Sequence, residues 1–235
     1  MSDVTSRTTS FRRRVYGIRK ALFRNPVMGA GIFVVILFVI IALAAPLITP
    51  VGPKEVKPIN RLQPPNAEQW FGTDTLGRDV FTRTVYGTRI SLLVGFSVAV
   101  IAMIFGTMIG IIVGYFRKID AILMRIMDGL MAIPTLLLAI ALVAAIGASV
   151  QNVIISLVLV ETPILARLIR ASTLSLREQT FVEAARCIGA SPVRVMALHI
   201  FPNTIAPLIV QGTYICATAI LIAVSYTHLR AHETR

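Results

Sequence analysis

The apolar residues of this chain gather in five runs, each long enough to read as a membrane-crossing helix. Val27 to Ile48 holds 22 residues without a charge. At about 1.5 Å per residue it covers about 33 Å, against a hydrocarbon core of about 30 Å. A second run, 90–116, is interrupted only by glycines and hydroxyl residues. Its Gly95, Ser97, Gly106 and Gly110 let helices approach closely in lipid. The third run, 125–146, contains Asp128 and Pro134 and leads into a short link at 147–151. The fourth, 150–170, is the least regular because Glu161 and Pro163 fall inside it, and the fifth, 205–224, is again free of charge.

Composition agrees with that pattern. Of 235 residues, 56% are apolar or aromatic and only 14% charged, with mean hydropathy +0.79, which excludes an ordinary soluble globule. The net charge of +12 sits on few residues, so its placement orients the chain. Arg7, Arg12, Arg13, Arg14, Arg19, Lys20 and Arg24 precede the first run, the flank expected on the cytoplasmic side. With that end inside, the inner segments collect 15 basic residues and the outer loop six. A cleaved signal peptide has a shorter apolar core, so the first run reads as an uncleaved span. The expected organisation is a basic cytoplasmic N-terminus (1–26), a first span (27–48), an external loop (49–89) punctuated by five prolines between Pro50 and Pro65, and a block of four spans (90–224). A cytoplasmic segment, 171–203, separates its last two spans.

Catalytic patterns are missing. There is no G-x-x-x-x-G-K-[ST], H-E-x-x-H, C-x-x-C or G-x-S-x-G, so the chain is expected to bind no nucleotide, to need no cofactor and to catalyse nothing itself. Cys187 and Cys216 read as packing residues. His228 and His232 are too few ligands to argue a metal. Asp74, Arg78 and Asp79 in the external loop read as structural or interface residues, with Asp74 and Arg78 spaced for an i, i+4 pair; a substrate or partner contact is the sharper alternative. Arg125 and Asp128 are spaced to pair at i, i+3 or to sit at the membrane interface. Arg167 and Arg170 are expected to snorkel to the inner surface. Glu161, deep in the fourth run, must face the bundle interior, either lining a path or pairing with Arg167. An ion-coupled transporter using Glu161 and Asp128, or a non-transporting scaffold, remains a competing class at this point.

The segment FVEAARCIGASPVRVMALHIFPN (181–203) reads as a short helix, a turn at Gly189, a second helix opened by Pro192 and a stop near Pro202. Ala184 and Ala185 would allow close approach of a partner, with Glu183 and Arg186 supplying polar contacts. A solvated loop is the plain alternative.

The pattern Glu183-Ala184-Ala185 with Gly189, followed by Ile200-Phe201-Pro202, resembles the signature of ABC importer permeases. FGTDTLGRDVFTRTVYGTRISL (71–92) and RIMDGLMAIPTLLLAIAL (125–142) resemble the dipeptide, oligopeptide and nickel branch, and the likeness runs from about Val15 to Ile222. It implies an all-α polytopic membrane protein with the type I importer transmembrane fold, five of six spans being present. It further implies a multi-pass subunit of a bacterial or archaeal plasma membrane, in contact with lipid and not with nucleic acid. Partners would be a second homologous permease, two ATP-binding subunits and an external solute-binding protein. Glu183, Ala184, Ala185, Gly189 and Pro202 would couple the ATP-binding subunit to transport of peptides or a related solute. The family pattern stops after Ile222, and the tail 225–235 is expected to derive from a frameshift or chimeric join.

Overall fold

The computed structural model describes residues 25–49, 52–53, 55–147 and 149–233, with side chains described as far as Ala223. The basic stretch Arg7–Arg24 and the side chains of the tail, His228 and His232 among them, lie outside the described residues. The chain forms two compact units, residues 1–90 and 91–235.

In the first unit α1 (Pro26–Ile48) opens on proline, which costs nothing where the N–H has no helical partner. It ends where Thr49 returns both its N–H and its Oγ1 to the carbonyl of Ala45, each at 3.0 Å. Only 11% of its apolar window is buried, as suits a helix whose solvent is lipid. The segment after it is held by turns: a 3₁₀ turn at Pro58–Asn60 and an isolated bridge between Thr73 and Asp79. Gly77 takes φ +73°, and a Cβ there would collide with the carbonyl of Lys57, so only glycine fits. Asp79 then starts α2 (Val80–Tyr115): its carboxylate accepts the N–H groups of Phe81 and Thr82, both at 3.1 Å. This cap carries the helix ten residues into the stretch expected as loop. At 36 residues, α2 is about 54 Å long, well beyond one hydrocarbon core.

The second unit is organised on α5 (Val150–Arg177), which touches α3 (Arg117–Met131), α4 (Thr135–Ile146), α6 (Thr180–Cys187) and α8 (Phe201–Glu233). Buried along it are Leu157, Val160, Leu165, Ala166 and Ile169. The glycines of α2 make its approach possible. A Cβ at Gly106 would lie 2.9 Å from Leu165, one at Gly110 2.7 Å from the carbonyl oxygen of Ala166, and one at Gly114 2.7 Å from Thr173. The Gly106–Gly110 spacing is therefore a packing seam extended by Gly114.

The structure corrects two further expectations. The third apolar run is two helices: α3 and α4 meet at 86° across Ala132–Pro134, because Pro134 supplies no N–H and drives Ile133 out of helical geometry. Two asparagine contacts close the α4–α5 link, Asn152 Nδ2 donating to the carbonyls of Ile146 (3.2 Å) and Gly147 (2.7 Å), while Ser149 caps α5. Pro202 does not stop the chain. α7 (Pro192–Val195) passes through a π-helical turn, Met196–Ile200, directly into α8. The wider turn pairs the Phe201 N–H with the Met196 carbonyl, and Asn203 Nδ2 donates to the His199 carbonyl at 2.7 Å, so the register lost at a proline is recovered by side-chain and i→i−5 bonds.

Candidate functional site

The segment between α5 and α8 has two faces. On α6, Val182 and Ala185 are buried against the helical core, whereas Glu183, Ala184, Arg186 and Cys187 are exposed. Ala185 thus departs from its expected place on the outer surface: at three residues from Val182 it falls on the same inner stripe. Cys187 is likewise exposed rather than packed. The outer face continues through Ile188 (86% exposed), Gly189 and Val193 (70% exposed).

The turn that ends α6 is fully bonded. Gly189 takes φ +83°, its N–H reaches the Arg186 carbonyl at 2.9 Å, and the Ala190 N–H reaches the Ala185 carbonyl at 3.0 Å. These are the two bonds of a Schellman cap, with glycine at the left-handed position that a β-branched residue resists. Ser191 then caps α7 through Arg194 (3.4 Å), and Val195 and Ile200 anchor that side in the core. Two arginines hold the C-terminal end of α2, one from the end of α5 and one from α6. Arg177, buried at the end of α5, donates Nη1 to the carbonyls of Gly114 (3.2 Å) and Tyr115 (3.5 Å), satisfying a helix end that carries partial negative charge. Arg186 lies 4.9 Å over the Tyr115 ring. Sequence reading missed Arg177 as a cap, since its partners are 62 and 63 residues away and no local pattern announces them.

The other candidate residues are placed as follows. Arg125 is exposed and Asp128 pairs with Arg167 at 2.5 Å instead, while Arg170 grips both oxygens of Asp120 at 2.5 Å. The arginines expected to snorkel thus tie α3 to α5, and Arg167 is not the partner of Glu161. Glu161 is 3% exposed; its Oε1 accepts from Thr218 Oγ1 of α8 at 3.5 Å, and its Oε2 has no hydrogen-bond partner. Asp74 does not pair with the side chain of Arg78. That stretch is a turn rather than a helix, and Asp74 accepts the backbone N–H groups of Leu76 (2.8 Å) and Arg78 (2.9 Å) while Arg83 reaches its other oxygen. Partial burial works to raise the Asp74 pKa, but the bonds from Arg78, Leu76 and Arg83 together outweigh it and hold the carboxyl below its ordinary value. Among the described residues no three His, Cys, Asp or Glu side chains gather as a metal would require.

Most of the chain is similar to known proteins. Residues 103–226 match the family described as binding-protein-dependent transport system inner membrane component, and residues 16–65 match the N-terminal TM domain of oligopeptide transport permease C. The dipeptide transport system permease protein DppC of Alkalihalophilus pseudofirmus is 48% identical over 205 residues, covering 87% of this chain and 67% of that protein. A probable peptide ABC transporter permease of Sinorhizobium fredii is 47% identical, covering 94% and 76%. The glutathione transport system permease protein GsiD of Shigella dysenteriae is 41% identical, covering 93% and 69%. With four helices among the described residues long and apolar enough to cross a membrane, or five if the bent α3–α4 pair is one span, this chain belongs to the binding-protein-dependent inner membrane components, the non-catalytic permease subunits of ABC importers that work with ATP-binding subunits and a solute-binding protein.

Proposed function

We propose that this permease admits peptides or chemically related small solutes, and that α6 and α7 form the knob that seats in an ATP-binding subunit. The two-sided character of α6 carries the docking reading. Val182 and Ala185 root it in the core, while Glu183, Ala184 and the Schellman turn at Gly189 stand clear for a partner. A knob so rooted moves as one body with the ends of α2 and α5, since Arg186 ties it to Tyr115 of α2 and Arg177 ties α5 to the same end of α2. Closure of the ATP-binding subunits would reach α5 directly and α8 through the π-helical turn before Pro202. The substrate reading draws support from the relatives, whose names specify dipeptide, peptide and glutathione transport.

The full importer in this reading contains a second, similar permease, two ATP-binding subunits and one external binding protein, and the two permeases alternate access by rocking against each other. The N-terminus is cytoplasmic, which puts the 15 basic residues inside and leaves the Asp74–Asp79 turn outside as a scaffold for α2. Glu161 sits where α5 meets α8. When these helices part, its carboxylate faces the path.

The docking reading is tested by co-purification. Glu183→Lys and Gly189→Val are expected to release the ATP-binding subunit while the permease still inserts and folds. Retention of that subunit at the wild-type level by both variants would refute the assignment.

A further inference from the structure

The helix that departs most from a simple span is α3, and its surface divides into three directions. Successive residues of an α-helix advance by about 100°, which groups Asp120, Met124 and Asp128 on one side and Ile119, Ile122 and Ile126 on nearly the opposite side, with Lys118 and Arg125 between them. The side chains follow that division. Met124 is buried, and Asp120 and Asp128 are engaged by Arg170 and Arg167 of α5. Ile122 and Ile126 are 67% and 54% exposed. Lys118 and Arg125 are exposed as well.

Orientation follows from the bend. α4 carries no charged residue in Thr135–Ile146 and runs into the apolar layer, so a helix meeting it at 86° lies close to the membrane plane. In that attitude α5 stands on one flank, the isoleucine stripe points toward acyl chains, and the two basic side chains emerge at the headgroup level. The aspartates of α3 do not cancel this charge toward lipid, because each is already matched by an arginine of α5.

We propose that α3 is an interfacial helix that binds anionic phospholipid headgroups of the inner leaflet through Lys118 and Arg125, with Ile119, Ile122 and Ile126 set into the acyl region. The lipid then seats the outer flank of the same helix that Asp120 and Asp128 fasten to α5, so the surface charge of the inner leaflet acts on the helix that carries the coupling knob at its end. The leaflet rests on the topology proposed above; the seating in lipid rests on α3 itself.

The test uses the complete importer in vesicles of phosphatidylcholine and phosphatidylglycerol at three to one. Nitroxide labels on Ile122→Cys and Ile126→Cys, with Cys187 and Cys216 replaced by serine, are expected to be relaxed by oxygen and not by a water-soluble nickel chelate. Phosphatidylglycerol retained on the purified complex, read by native mass spectrometry, is expected to fall about fivefold or more in Lys118→Gln/Arg125→Gln. Labels relaxed by the nickel chelate, labels shielded from both agents as at a protein–protein contact, or unchanged lipid retention would each overturn the proposal. A membrane-impermeant thiol reagent applied to Lys118→Cys from either side reads the leaflet separately. Its reaction from outside would overturn both the assigned leaflet and the topology.

Discussion

α1 and α5 are both apolar helices long enough to cross a bilayer, yet they are opposite in construction. α1 has a mean hydropathy of 3.1 in its apolar window and buries 11% of it; α5 has 1.8 and buries 50%. The four charged residues of α5, Glu161, Arg167, Arg170 and Arg177, are ones that meet other helices. In lipid there is no hydrophobic force to draw one apolar helix to another, so small residues and polar contacts decide what packs. Hydropathy thus marks which helices cross the bilayer, and its interruptions mark which helix is the hub.

The comparison is broken most severely by adding bulk where α5 is approached. Gly110→Leu forces a side chain toward the Ala166 carbonyl and Ile169 and is expected to cost about 3 kcal/mol, with loss of most assembled importer on thermal challenge. Gly31→Leu in α1, where a Cβ meets nothing within 4 Å, is expected to stay within about 0.5 kcal/mol of wild type. Equal losses in the two variants would dissolve the distinction. Next in size is Glu161→Gln. Removing a buried carboxylate whose Oε2 lacks a partner is expected to raise the melting temperature, by the equivalent of about 1 kcal/mol, while lowering solute uptake several-fold. Unchanged uptake would remove Glu161 from the path.

The smallest effect belongs to the turn at Asp74. Because the Asp74 carboxyl titrates below its unfolded value of about 3.9, its stabilisation is complete above that value and is lost as pH falls through the lower folded one. Trp70, the single tryptophan, packs 5.0 Å from Phe81 and reports this unit. Its emission should shift in acid below about pH 4 in the wild type. In Asp74→Asn that acid step should disappear; persistence of the step would assign it to another carboxylate.

Much of the fold was legible because apolar length is a local property: α1, the long apolar stretch of α2 and the body of α5 follow from counting uncharged residues. The α6–turn–α7 arrangement was legible too, since glycine and proline act within a few residues of their place. The pairings were not. Arg167 finds Asp128 39 residues away and Arg170 finds Asp120 50 residues away, while closer candidates such as Arg125 stay exposed. Nor was the fate of Pro202, because a π-helical turn that absorbs a proline depends on Asn203 folding back on the His199 carbonyl, a side-chain contact that apolar periodicity does not register.

The central claim is that α6 presents one face to an ATP-binding subunit and roots the other in the permease. Cysteine cross-linking to that subunit, in a background with Cys187 replaced by serine, tests it at neighbouring positions. Exposed Ala184→Cys is expected to cross-link and buried Ala185→Cys to remain unreacted. Cross-linking through Ala185→Cys, or none through Ala184→Cys, would contradict it.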